Sequence, residues 1–362
     1  MFVFSEHYSA VFSKVNTHTL SPSPGRNSAS VPMPYTAATA PPERMTGVCS
    51  RSSGEKPRSA KSRLRLREPR ETGSVMLSRA HTGKRKIFFF RNYYHGNDPW
   101  AMKADYPGIL PEDVANNIIV PWFDMDALAR VWEENKGDIA ALIAQPYDHG
   151  NFYDNVCSTK EKWQAVRKFC DEHGIVLIFD DVRTGFRLDL AGSDHYYGIK
   201  ADIICFCKAL ANGYNMSASC GQEFLRAAAS SLSFTGSYWM SAVPFAACIT
   251  TINKMKKLDT PRLFREKGEK FTSALRAAGA KHGFDLVVSG EPALFYLRIA
   301  NDDSLMLHQE WVAECVSRGL FLASHHNHFI NAALCDADIA LAADDAFAVV
   351  AARHPDALKD IR

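Results

Sequence analysis

The feature that most constrains this chain is a set of short, wholly apolar runs separated by stretches of helical spacing. The sharpest of them, Ile175-Val176-Leu177-Ile178-Phe179, ends on two adjacent aspartates, Asp180 and Asp181. A run of that length, rich in β-branched residues and apolar at every position, reads as a strand covered on both faces of a parallel sheet. Its companions are KIFFFR (86–91), NNIIV (116–120), IAALIAQ (139–145) and DIICFC (202–207), with helical stretches near 126–135 and 159–173 between some of them. Strand, helix, strand alternation predicts an α/β fold built on a mostly parallel sheet with helices on both faces. Further on the pattern becomes helix (262–282), strands (284–288 and 294–299), helix (304–318), a short strand and a last helix (336–353), the outline of a smaller α+β unit. The expected organisation is therefore a large domain over 75–258 and a small C-terminal domain over 259–362.

Residues 1–74 have a different texture, Pro/Ser/Ala-rich and then Arg/Ser-rich, with too little apolar surface to offset chain entropy, and are expected to be low-complexity and disordered. Residues 1–80 hold 12 Lys/Arg against 5 Asp/Glu, so the net charge of +2 conceals a basic tail on an acidic body. A basic tail without interleaved aromatics or a recognisable binding fold predicts no nucleic-acid partner. Nine cysteines with no Cys-x-x-Cys pair point to a reducing compartment rather than a disulfide framework or a zinc module. No run approaches the roughly 18 apolar residues of a membrane span, and the opening lacks the basic start and apolar core of a secretion signal. The expectation is a cytoplasmic protein with no membrane partner.

Side chains alternate faces along a strand, so Asp180 and Asp181 should point in opposite directions and are badly placed to grip one metal together. One aspartate is expected to meet a ligand and the other a structural partner; the plain alternative is that both cap the following turn. A metal-dependent hydrolase using both is disfavoured by the same geometry, and no metal site is expected. Lys208 directly follows a second buried run, at the sheet edge where open α/β folds bind ligands. Alone, a lysine there reads as a snorkelling surface residue. Beside Asp180 it suits pyridoxal phosphate: the amine can form a Schiff base with the aldehyde while the carboxylate keeps the pyridine nitrogen protonated.

The stretches LIFDDVRTGFR (177–187) and DIICFCKALANGY (202–214), with Asp180 and Lys208 28 positions apart, resemble the paired signature of class III (ω-type) aminotransferases. NYYHG (92–96) is similar to that family's Tyr-His-Gly segment, and FTGSYWMSAVPFAA (234–247) to its Gly-Thr-aromatic segment. Together with SRAHTGKRKI (78–87) and residues 325–339, the likeness covers about residues 75–355, with the flavour of the glutamate-1-semialdehyde aminomutase branch. The resemblance implies a fold type I large domain, pyridoxal 5'-phosphate as cofactor, Lys208 and Asp180 as catalytic residues, and small amine or amino acid and carbonyl substrates. It further implies that Tyr94 stacks on the cofactor ring with His95 beside it, and that Gly236 and Ser237 reach the phosphate held by the partner subunit of a homodimer.

Two positions depart mildly from the family pattern: Asp181 replaces a usual glutamate, and Gln145 a common one. A larger departure lies upstream, where a Gly-Ser/Thr-Glu-Ala phosphate loop is expected at a helix start and only Gly73-Ser74 stands, with low-complexity sequence before it. The expected reading is a truncated or replaced N-terminal segment. The leading function is an aminotransferase; the alternatives are an intramolecular aminomutase and a catalytically impaired relative acting as a binding protein. The segment 319–350 contains no arginine to take a substrate carboxylate, which leaves Arg187 and the histidines His325, His326 and His328 as candidates for ligand contact or for simple packing.

Overall fold

The computed structural model describes residues 2–4, 70–233, 236–238, 241–334 and 339–355. The apolar runs form the strands they predict: β2 (Lys86–Phe90), β3 (Asn117–Val120), β4 (Ile139–Ala144), β5 (Val176–Asp180) and β6 (Ile203–Phe206). These five run parallel, and two more complete a seven-stranded sheet, β7 (Ala218–Gly221) antiparallel to β6 and β1 (Phe2–Phe4) on the edge beside β7. The sheet order is β1-β7-β6-β5-β4-β2-β3. Regular structure thus begins ahead of the expected boundary at residue 75, with strand Phe2–Phe4 and with a helix that starts at Arg70.

Every residue of β4, β5 and β6 is buried, the signature of a sheet covered on both sides. One face packs Leu142, Leu177, Phe179 and Phe206 with Trp163, Phe169 and Phe186. The other packs Ile143, Val176, Ile178 and Cys205 under the helix Arg70–Thr82 through Val75 and Leu77. The helix Lys160–His173 that carries Trp163 has clear ends: the Thr159 hydroxyl accepts from the Lys162 amide, and Gly174 closes it in the left-handed conformation at φ 59°. Trp163 lies at the centre of its face and donates from its indole nitrogen to the Pro146 carbonyl at 2.9 Å.

A second sheet, β10-β9-β8, is formed by β8 (Leu286–Glu291), β9 (Leu294–Ile299) and β10 (His328–Phe329) and backed by the helices Thr260–Lys281, Met306–Ser317 and Ile339–Arg353. Its core holds Phe271, Leu275, Phe295, Leu297, Trp311 and Phe347. The helix Ala242–Leu258 leads into it, and Asp259, at φ 49°, turns the chain into the next helix. The small sheet grips the loop that follows β4: Tyr147 donates to the Leu294 carbonyl at 3.0 Å, Asp154 pairs with Arg298 at 2.8 Å, and the Asn155 amide donates to the Ser289 hydroxyl at 2.9 Å. Asn327 completes the clamp by donating to the Gly150 carbonyl at 2.6 Å. Among the described residues no helix is long and apolar enough to cross a membrane.

Candidate active site

The parallel strands β4, β5 and β6 all deliver their C-terminal ends to one edge. Asp180 is the last residue of β5 and pairs in register with Cys205 of β6; Lys208 comes just beyond, at the start of a single 3-10 turn. The two residues the sequence singles out therefore stand at adjacent strand ends. The backbone at Lys208 has φ 33°, a region non-glycine residues rarely occupy and one concentrated at ligand sites.

The two aspartates serve different faces, as the period of two requires. Asp181 is fully buried on the Trp163 side, where one oxygen accepts from the hydroxyls of Thr184 and Ser193 at 2.5 Å each and the other from the Ser193 amide at 2.8 Å. Burial pushes its carboxyl up to about 6, against the pull of those donors. This is a structural clamp on the loop 182–193. Asp180 faces the other way: one oxygen lies 2.6 Å from His95 Nδ1 and the other accepts from the Val182 amide at 3.2 Å. Both members of the His95–Asp180 pair are buried, and His95 Nε2 has no partner among the described residues.

His95 is thus bound to Asp180 itself, a contact the motif did not reveal. Its ring stacks on Tyr93, with centroids 5.6 Å apart and planes 12° from parallel. Tyr94, expected to cover the cofactor ring, is about half-exposed; its hydroxyl donates to Asn97 and the Arg183 guanidinium lies over its ring, 5.7 Å from the centroid. Gly236 and Ser237 sit on a short described stretch, Gly236 half-buried and Ser237 exposed. Ser74, expected as what stands of a phosphate loop, is fully buried with its hydroxyl 3.1 Å from both Cys205 Sγ and Ser219 Oγ. It ties the helix Arg70–Thr82 to β6 and β7.

Three further groups lie close by: Arg183 from the 177–187 stretch, His326 from the histidine cluster, and His149, which no motif singled out. Arg183 is 8% exposed, and no carboxylate among the described residues bonds its guanidinium. His149 is 3% exposed, and neither ring nitrogen has a partner among the described residues. Burial holds its imidazole well below the usual histidine range, and the positive charges of Arg183 and Lys208 add to the effect. His326, bonded through Nδ1 to the Asn327 carbonyl at 3.0 Å, is lowered by burial and then by the same two cations. Arg187 donates to the Arg183 carbonyl at 2.9 Å and lies over Phe329, 5.0 Å from the ring centroid. Its guanidinium is pulled down to about 10 by burial. His325 stacks on Phe152, and His328 stacks on Phe295 and accepts from the Ala323 amide, so these two pack and cap. Among the described residues no group of three or more His, Cys, Asp or Glu side chains is arranged to hold a metal.

A buried carboxylate with lone pairs to spare, oriented by an imidazole, and an amine one strand away form a donor set suited to a flat, cationic, aldehyde-bearing heterocycle. Comparison with known proteins agrees. Residues 72–335 match the family described as aminotransferase class-III. The aminopentol aminotransferase of Sphingopyxis macrogoltabida is 34% identical over 260 residues, covering 72% of this chain and 61% of that protein. A glutamate-1-semialdehyde 2,1-aminomutase of Bdellovibrio bacteriovorus is 30% identical over 238 residues, covering 62% of this chain and 55% of its own length. Among solved structures, the internal aldimine form of the FumI protein from Sphingopyxis sp. MTA144 superposes with a TM-score of 0.75 at 33% identity, over 78% of this chain and 69% of that one. The chain spans between about half and two thirds of the length of these curated relatives.

Proposed function

The chain belongs to the class III aminotransferase family, and from that premise we propose that it binds pyridoxal 5'-phosphate and moves an amino group between a small amine or amino acid and a carbonyl acceptor. The observation that carries this reading is the buried Asp180, oriented by His95 at 2.6 Å, at the strand end adjacent to Lys208. Pyridoxal phosphate supplies an electron sink for the bonding pair released at the carbon that bears the amine.

The chain's own residues take the remaining tasks. Lys208 would hold the cofactor through its amine and would serve as the base that moves a proton at the substrate's amine-bearing carbon. Asp180, its carboxylate oriented by His95, would accept from a protonated ring nitrogen and keep that proton in place. Tyr94 would supply an aromatic face beside the ring. Gly236 and Ser237 present neutral donors to a phosphate, in our reading the one held by the other subunit of a homodimer. Donor amine becomes carbonyl as acceptor carbonyl becomes amine, so no outside oxidant is needed. We place the protein in the cytoplasm, in keeping with its nine cysteines, and divide it into a cofactor domain over 75–258 and a small domain over 259–362.

Two narrower readings have one observation each. The aminomutase relatives favour an intramolecular transfer, which turnover without an added carbonyl acceptor would reveal. The engagement of Ser74 by Cys205 and Ser219 favours a binding protein without turnover, which an amine-dependent change in the cofactor's absorbance would refute. The proposal itself is tested by reconstituting the chain with pyridoxal phosphate and following amine-dependent loss of the visible chromophore in the parent and in Lys208→Ala. Loss only in the parent supports it; a colourless parent overturns it.

A further inference from the structure

The chain that leaves the helix Met306–Ser317 returns to the small sheet through a loop whose neck is one hydrogen bond. The Ala323 amide donates to His328 Nε2 at 3.1 Å, five residues on, and closes 323–328 into a ring. The foot of this loop is fixed. His328 and Phe329 pair with β9, the Ile330 amide donates to the Ala293 carbonyl at 3.1 Å, and the His328 ring lies flat on Phe295, with centroids 5.4 Å apart and planes 13° from parallel. The tip reaches the large domain: Asn327 donates to the Gly150 carbonyl at 2.6 Å and His325 stacks on Phe152 at 5.1 Å, both on the loop that leaves the C-terminal end of β4. That second loop is tightly wound where the tip holds it, since the Gly150 amide donates to the Asn155 side chain at 2.7 Å and a Cβ at Gly150 would lie 1.8 Å from the Tyr153 carbonyl oxygen.

The neck bond fixes the protonation state of His328. An amide N–H can donate to Nε2 only while that nitrogen keeps its lone pair, so the closed loop requires a neutral ring with its proton on Nδ1. Nδ1 is buried and makes no hydrogen bond among the described residues. A second proton, on Nε2, would set two donors head to head. We infer that His328 is an acid-sensitive latch: its protonation opens the loop 323–328 and releases the tip from the large-domain loop that carries Gly150 and Phe152. The groups around the ring agree with this. His308, on the helix Met306–Ser317, and His326, within the loop, both oppose a charge on His328, and the Phe295 backbone favours it less than burial opposes it. His308 is itself buried beside Trp311 at 5.7 Å, and Asp302, which accepts from the His308 amide at 2.7 Å, favours a charge on its ring less than burial opposes it. Burial thus lowers the His328 imidazole from the usual 6.5 to about 4. A ring that binds its proton more readily in the open loop than in the closed one keeps the latch shut above about pH 6.5 and loses it as the pH falls toward 4. The latch stands independently of the proposed function; its consequence there is a loosened loop at the end of β4, the strand beside the one that carries Asp180.

The experiment measures amide hydrogen exchange of the full chain by mass spectrometry at pH 7, 6 and 5, corrected for the intrinsic pH dependence of exchange, on peptides covering 323–328 and 147–156. Parent, His328→Gln, His326→Gln and His308→Gln are compared, glutamine offering a neutral acceptor in place of each imidazole. In the parent, both peptides should exchange faster at pH 5 than at pH 7 by a factor on the order of ten, while peptides from β4 and β5 do not change. The acceleration should persist in His326→Gln and His308→Gln and shrink to less than about twofold in His328→Gln. Equal exchange at pH 7 and pH 5 in the parent, acceleration confined to 323–328, or acceleration abolished by His308→Gln and retained in His328→Gln overturns the inference. So does acceleration spread evenly over β8, β9 and the helix Thr260–Lys281, which marks unfolding of the whole small sheet and its helices. Where His328→Gln does not fold, the His328 ring proton of the parent, followed by NMR, decides: a titration midpoint that coincides with the midpoint of the exchange supports the latch, and one more than about a pH unit away overturns it.

Discussion

Replacing His95 by phenylalanine should expose how much of the site's order depends on the His95–Asp180 contact. Phenylalanine keeps the ring and its packing against Phe89 and Tyr93, at 5.8 and 5.6 Å between centroids, while removing the nitrogen 2.6 Å from the Asp180 carboxylate. A hydrogen bond to a charged group contributes about 1.5–3 kcal/mol, and stripping one partner from a buried pair costs about 3–5 kcal/mol. With the two side chains 0% and 5% exposed, solvent cannot step in, and among the described residues Asp180 retains the Val182 amide as its donor. We expect a loss of about 2–4 kcal/mol in urea unfolding without cofactor, and a smaller loss for His95→Asn, which retains a donor. Added pyridoxal phosphate should recover part of the deficit, because the ring N–H gives Asp180 a new partner. A loss below about 0.5 kcal/mol, or a deficit indifferent to cofactor, would refute the reasoning that His95 exists to hold Asp180.

Two further outcomes concern stability. Burial raises the Asp181 carboxyl to about 6 and that of Asp194 to about 7, above the ordinary 3.8; both bind protons more readily folded than unfolded, so their contribution is complete below about pH 4 and is lost as pH rises to about 7. At about 1.4 kcal/mol per pH unit, Asp194→Asn should flatten the unfolding free energy from urea titrations across pH 4–7 by an amount on the order of a few kcal/mol, and a parent more stable at pH 7 than at pH 4.5 only while Asp194 is present would contradict this. Gly268→Ala should cost about 1–3 kcal/mol and lower the thermal midpoint, since a Cβ there would lie 1.9 Å from the Pro292 carbonyl oxygen in the turn between β8 and β9; an unchanged midpoint would show that the helix Thr260–Lys281 can shift away from that turn.

How much of this was legible depends on where apolar patterning ends and packing begins. The runs at 86–91, 116–120, 139–145, 175–179 and 202–207 became β2 to β6 within a residue or so, because strands buried on both faces, as β4, β5 and β6 are, must be apolar throughout, while β3 is a partly exposed edge strand. The opposition of Asp180 and Asp181 followed from the pleat alone, although only the structure shows Ser193 and Thr184 holding one and His95 the other. β7 escaped notice because Ala218-Ser219-Cys220-Gly221 has weak strand character; it is made of small residues where the helix Arg70–Thr82 presses Ser74 against Ser219. β1 lies in a segment expected to be disordered, where three apolar residues gave too short a signal. His149 could not be singled out from sequence, since what distinguishes it is a buried ring without a hydrogen-bond partner among the described residues.

The central claim is that Lys208 is the amine that holds the cofactor. Reducing the reconstituted chain with borohydride, digesting it and mapping the pyridoxyl group by mass spectrometry tests this directly. One modified peptide containing Lys208, missing from Lys208→Ala, is the predicted result; label scattered over surface lysines, or no label at all, would contradict it.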